Sequence, residues 1–239
     1  MEQIKSEMTA LRLSGMAETL KTLQESRQVE ELSLTDGLRL LLQGERDQRE
    51  ARRYERLLKN ADFRYQATLE EVSFDASRGL SKTQILSLAT GNYIRNGESI
   101  LITGATGCGK SFVATSFGYQ ACKQGFSVNY FSMQKLMAKI KIARIEGVMI
   151  RFFEKLAKTD LLILDDFGIG SMDSQQQLDF MEIIEDRHAR KATIIASQMP
   201  PANWFDLFSD ETVADAFMDR MIHTSHRIEL KGESLRKKR

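Results

Sequence analysis

Five residues between positions 104 and 111 have the types and spacing of a phosphate grip. In "GATGCGKS", Gly104, Gly107, Gly109, Lys110 and Ser111 satisfy G-x-x-x-x-G-K-[ST]. The glycines let backbone N–H groups curl around phosphate oxygens with no side chain in the way. Lys110 suits the β- and γ-phosphates, and the Ser111 hydroxyl suits Mg²⁺. A helix opening there aims its first N–H groups at the anion. Ala105, Thr106, Cys108 and Phe112 complete the cradle, with Cys108 a spacer and not a nucleophile. The pattern alone arises in roughly one random chain of this size in a hundred. Its context sets it apart: the apolar run "ILIT" precedes it and a helical pattern comes after it.

A triphosphate also needs its metal held from the far side. "LLILDDFG", from Leu161 to Gly168, supplies a buried strand ending in two carboxylates. Asp165 is placed to orient Mg²⁺ through its waters and Asp166 to polarise an attacking water. Neighbouring residues on a regular strand point to opposite faces, so at most one of the two can sit on the metal directly. Gln198 closes the run "TIIASQ" at the edge where a parallel sheet presents residues to a ligand. There it can fix a lytic water or sense the γ-phosphate, or simply be a surface amide. His223 and His226 have a zinc-compatible spacing but no neighbouring Cys or His to complete four ligands.

Strands must deliver these groups to one edge, and from Ser99 onward the chain alternates in the required way. "SILIT", "SVNYFS", "DLLILDD", "ATIIAS" and "HRIEL" are apolar runs separated by helical patterns after Lys110, from Met133 and around Phe180 to Arg190. That alternation implies βαβ units and an α/β fold with a parallel five-stranded sheet flanked by helices. Ahead of it, apolar residues at three- and four-residue steps from Ile4 to Leu23, with a longer gap around Gly15, predict one amphipathic helix or two short ones. Another helix is expected over Leu38 to Lys59, with Ser33 or Thr35 as its cap. Arg49, Arg52, Arg53 and Arg56 on it form either a solvated face or a phosphate-contacting one. The expected division is a small all-helical N-terminal domain over residues 1–68 and an α/β domain carrying the phosphate loop over 69–239, the first part of which is partly linker.

With 239 residues, 42% hydrophobic and 28% charged, the chain has the composition of an ordinary globular protein. A net charge of +1 neither demands nor excludes a nucleic-acid partner, because a balanced sum can hide a basic face. No run is long and apolar enough to cross a bilayer, and the first residues do not read as a signal peptide. Cys108 and Cys122 are too few for a disulfide framework, which points to free thiols and the cytoplasm. The 11 methionines are read as core filler.

With the loop, the double Asp and the polar strand end in place, the chain resembles the AAA+ ATPases. Within them it is similar to the IstB-like transposition helpers, relatives of the DnaC-type helicase loaders. The closing segment "ADAFMDRMIHTSHRIELKGESLRK" carries the most specific likeness: Arg220 matches the arginine finger and Arg236 the second sensor. Asp166 stands where most of the superfamily has Glu, and Gln198 where Asn is commoner. The resemblance implies an enzyme that hydrolyses ATP with Mg²⁺ and forms an ATP-dependent homo-oligomer. It also implies binding and deformation of double-stranded DNA, recruitment of a cognate transposase and stimulated insertion. A DnaC-type replicative helicase loader is the near alternative. A small-molecule kinase would share the phosphate loop, but the chain shows no acceptor lid.

Lys135, Lys139, Lys141 and Arg144 lie in the helical pattern "MQKLMAKIKIARIEG". In the DnaC-like branch an extra helix here faces nucleic acid. An amphipathic helix with its lysines turned outward needs no ligand, so both readings stand. Phosphate contacts from these residues would be indifferent to sequence and weakened by salt.

Overall fold

A computed structural model describes residues 2–27, 32–222 and 225–235. It contains two compact units, one up to Arg56 and one from Leu57 onward.

In the first unit, α1 (Glu2–Ala10) and α2 (Ser14–Glu25) precede the long α3 (Leu34–Ala61). The sequence left open one helix or two. There are two, and Gly15 lies inside the second, where the gap in the apolar pattern has a packing cause. A Cβ at Gly15 would stand 2.5 Å from the Gly44 carbonyl, so the glycine is what lets α2 cross α3 closely. Glu45 of α3 then caps α2 from outside, its Oε2 accepting from the N–H groups of Gly15 (2.7 Å) and Met16 (3.2 Å). Its Oε1 accepts from Arg49 Nε at 2.7 Å. Burial raises the Glu45 carboxyl, but Arg49 and the two N–H donors outweigh it and hold the group below its usual value. Ser33, not Thr35, is the α3 cap, accepting from Asp36 N at 3.1 Å. Leu20, Leu23 and Leu41 form the small core.

The unit boundary falls inside α3 instead of near residue 68. Residues 57–68 pack within the second unit: the Phe63 ring stacks on Tyr119 at 4.8 Å, and Ala67 is fully buried. Two 3₁₀ turns, Leu69–Glu71 and Ala76–Arg78, lead to α4 (Lys82–Ala89) and α5 (Asn92–Asn96).

The remainder of the second unit is the sheet and its helices. β1 (Ile100–Gly104), β2 (Val128–Ser132), β3 (Leu161–Phe167), β4 (Ala192–Ser197) and β5 (His226–Leu230) are joined by α6 (Lys110–Lys123), α7 (Met133–Ile145), α8 (Met149–Lys158), α9 (Ser174–Arg187) and α10 (Glu211–Ile222). The strands lie in the order β2-β3-β4-β1-β5, every neighbouring pair parallel. The five strands occupy the five apolar runs read from the sequence. The pattern from Met133 makes two helices, because Gly147 takes φ +68° between them. Side chains of β3 and β4 are buried on both faces, as a sheet with helices on either side requires. Beneath the end of β3, Phe167, Phe180, Trp204 and Phe217 pack ring on ring and fix α9 and α10. At the opposite edge, fully buried Arg187 donates to the carbonyls of Leu156 (2.5 Å), Thr159 (2.8 Å) and Ala192, binding the starts of β3 and β4 together.

Candidate nucleotide site

The order of the strands explains the site. β1 lies beside β4, and β4 beside β3, so the segments leaving their carboxyl ends meet. The loop after β1 turns through Gly104 (φ +147°), Gly107 (φ +81°) and Gly109 (φ +98°), conformations that a side chain resists. α6 begins at Lys110 with Gly109 as its cap residue, so its first N–H groups open into the loop. The buried Lys110 folds its Nζ back onto the Ala105 carbonyl at 2.9 Å, within the loop it would serve.

Ser111 and Asp165 come together as the motif requires: Ser111 Oγ donates to Asp165 Oδ1 at 2.9 Å. Asp165 is completely buried, and its Oδ2 accepts from the Tyr130 hydroxyl at 2.6 Å. Burial and the Asp165 charge push the Tyr130 phenol well above its usual range, so it stays a donor. The pair is an all-oxygen, hard donor set with the carboxylate held in place from β2, which fits Mg²⁺.

Asp166 departs from the regular strand assumed from the sequence. The pairing of β3 with β4 shifts between Leu164 and Phe167, and Asp166 takes φ +59°. This bulge ends the simple alternation of faces; the Asp166 N–H donates to Asp165 Oδ1 at 2.9 Å. Asp166 lines a cavity of about 850 Å³ with Arg64, Lys135, Lys141 and Gln176. A non-glycine residue held in this conformation costs on the order of 1–3 kcal/mol, the kind of strain that clusters at functional positions.

Gln198 comes directly after β4 and accepts from Thr106 Oγ1 at 2.5 Å, so its amide oxygen is tied to the phosphate loop. Phe112 stacks against Tyr65, with ring centres 6.4 Å apart. Burial raises the Tyr65 phenol, which faces Thr115, Ser111 and Asp165.

Several of the remaining cations read from the sequence have other partners. Arg220 donates to Ala216 O at 2.9 Å and pairs with Glu185 of the same chain. Arg144 makes two bonds to the buried Asp179, at 2.6 and 2.7 Å. Lys139 lies over the Phe131 ring at 5.0 Å. Lys135 and Lys141 are exposed at the cavity beside Asp166. Arg49 is bound to Glu45. Arg236 and His223 lie outside the described residues, while His226 meets Glu98 at 2.8 Å. Among the described residues, no group of three or more His, Cys, Asp or Glu side chains could hold a metal, and no helix is long and apolar enough to cross a membrane.

Three contributors escaped sequence reasoning: Tyr65, Thr106 as the partner of Gln198, and Tyr130. Their local patterns are those of ordinary strand and loop residues. Tyr130 shares a face of β2 with Ser132, whose strand partner is Asp165, a register that only the folded sheet sets.

The sequence profile of the family described as IstB-like ATP binding protein matches residues 6–239. A putative insertion sequence ATP-binding protein, y4pL of Sinorhizobium fredii, is 37% identical over 230 residues, covering 96% of this chain and 94% of that protein. The insertion sequence IS21 putative ATP-binding protein of Pseudomonas aeruginosa is 27% identical over 238 residues, covering 100% of this chain and 90% of that one. Among solved structures, DnaA from Aquifex aeolicus with bound AMPPCP superimposes with a TM-score of 0.60 at 23% identity, over 74% of this chain and 54% of that chain. DnaI does so with a TM-score of 0.59 at 17% identity, over 70% of this chain and 92% of that chain. These structural likenesses are of fold. With the family profile and the loop geometry, they lead to one conclusion: the chain belongs to the IstB-like ATP-binding protein family, built on the AAA+ ATPase fold.

Proposed function

We propose that this protein is an ATP-dependent, DNA-binding regulator of transposition that assembles on target duplex, recruits a cognate transposase and stimulates insertion. The observation that carries the reading is the contact of Ser111 with Asp165 beside a glycine-rich loop, in a chain whose relatives are named as ATP-binding proteins of insertion sequences. Ser111 and Asp165 would hold Mg²⁺, which supplies charge neutralisation at the phosphate oxygens. The loop N–H groups and Lys110 bind the polyphosphate, Lys110 exchanging the Ala105 carbonyl for a phosphate oxygen. Asp166 accepts a proton from the attacking water, and Gln198, tethered to Thr106, stands at the γ-phosphate end.

Arg220 acts on the site of a neighbouring copy, and Arg236 on its own. In the single chain Glu185 holds Arg220, so assembly exchanges that partner for phosphate. Lys135 and Lys141 provide the duplex contacts, whereas Arg144 and Lys139 support them structurally. Both cysteines are buried free thiols, which accords with a cytoplasmic site of action. The likeness to DnaA and DnaI is one of fold and favours no second reading.

The test is electron microscopy and sedimentation of the protein with duplex DNA and a slowly hydrolysed ATP analogue. Assembly should appear only with nucleotide, and duplex affinity should fall as salt rises. R220A should keep ATP binding but lose hydrolysis. A chain that remains single and ignores duplex with every adenine nucleotide overturns the reading.

A further inference from the structure

The carbonyls of a phosphate loop face away from the anion held by its N–H groups, and each outward carbonyl needs a donor of its own. Here the donors come from three parts of the chain. Ala105 O accepts from Lys110 Nζ (2.9 Å), Gly107 O from Leu235 N (3.0 Å) and Cys108 O from Arg78 Nη2 (2.5 Å). Lys110 must leave its carbonyl to meet phosphate; Arg78 need not.

Arg78 is itself fixed in place. Its N–H donates to Asp75 O and its carbonyl accepts from Lys231 N, both at 2.9 Å. Gly79, at φ +73°, lies so close to β5 that a Cβ would stand 2.7 Å from the Glu229 carbonyl. The guanidinium also fills the space beside Gly109, where a Cβ would be 3.1 Å from Nη2. A side chain at 109 would crowd the guanidinium, and the backbone angle of φ +98° itself favours glycine there.

We propose that Arg78 is a positioning residue of the phosphate loop: by holding the Cys108 carbonyl outward it keeps the loop N–H groups turned toward the polyphosphate. The proposal rests on reading the loop as the nucleotide site. Arg78 acts through Cys108 and Gly109, on the part of the loop that meets phosphates common to ADP and ATP. Its loss therefore weakens both nucleotides alike and leaves chemistry at the γ-phosphate intact.

The test is fluorescence titration of the full chain with labelled ADP and ATP, alongside steady-state hydrolysis, for wild type, R78M and R78K. R78M should weaken both nucleotides about tenfold and raise KM in step, with kcat within about twofold. R78K, which keeps a charged donor, should recover most of the loss. R78Q serves where R78M does not fold, with the same readouts. Unchanged ADP affinity in the neutral variant, or a fall in kcat at constant KM, overturns the role of Arg78. A wild-type chain that binds neither nucleotide would instead overturn the reading of the loop.

Discussion

At the carboxyl ends of β1, β3 and β4 the residues singled out by motif meet one another, whereas along α7 and α10 the cations singled out by pattern meet something else. Ser111 reaches Asp165 and Gln198 reaches Thr106 across the sheet. Arg144 is bound to Asp179, Lys139 to the Phe131 ring and Arg220 to Glu185. The difference lies in how each function is written. A phosphate loop is made of backbone N–H groups, whose directions are set by glycine spacing and a helix start. A cation on a helix has a job set by whichever partner the fold brings near it, and no local spacing names that partner.

The largest test of this contrast is K110A. Removing the ammonium from the loop should weaken ATP binding by about 3 kcal/mol, roughly 100-fold, in calorimetric titration. Wild-type affinity would place the phosphate elsewhere and erase the distinction between the two regions.

Next comes R144A, which strips the buried Asp179 carboxylate of its charged partner and leaves the Gln175 amide, at 3.0 Å, as a donor. Breaking a buried pair costs about 3–5 kcal/mol; the half-exposed guanidinium reduces this to about 2 kcal/mol of unfolding free energy in urea, with duplex affinity retained. Lost DNA binding at full stability would move Arg144 to the phosphate-contacting group.

K135A and K141A should do the reverse. Each should lower duplex affinity by about 1 kcal/mol and the salt slope by about one, while stability stays within about 0.5 kcal/mol. Unchanged duplex affinity at unchanged stability would make these two lysines of α7 a solvated face.

The smallest effect is expected far from the ligand edge. Burial raises the Asp160 carboxyl, but the Lys191 ammonium at 2.6 Å and the Ser127 N–H and hydroxyl bring it below the usual 3.8 of an aspartate. A carboxyl lowered by folding stabilises the folded state above its unfolded pKa, and that contribution disappears as pH falls through the folded value. D160N should thus cost less than about 1 kcal/mol at pH 7, since solvent screens the pair, and the deficit should shrink as pH falls below the usual 3.8 and vanish once the folded carboxyl is protonated. A deficit that does not change as the solution is acidified would assign the effect to hydrogen bonding and not to charge.

Legibility divided along the same line. The central strands β3 and β4 stood out because double-sided burial writes them as near-continuous apolar runs, and the loop because its chemistry is local. The faces of Asp165 and Asp166 were not readable from alternation, because the bulge between Leu164 and Phe167 breaks it. Nor was the role of Gly15, which looked like a gap in a helix and is a point of close crossing with Gly44.

By itself the sequence determined the α/β architecture, the phosphate loop and the acids that face it, since periodicity and glycine spacing act over a few residues. Tertiary structure alone decided that Tyr130 orients Asp165, that Arg78 braces Cys108 and that Glu185 claims Arg220. Those contacts join segments between 30 and 35 positions apart. Only the order of the strands and the packing of helices between them bring such distant donors and acceptors within reach.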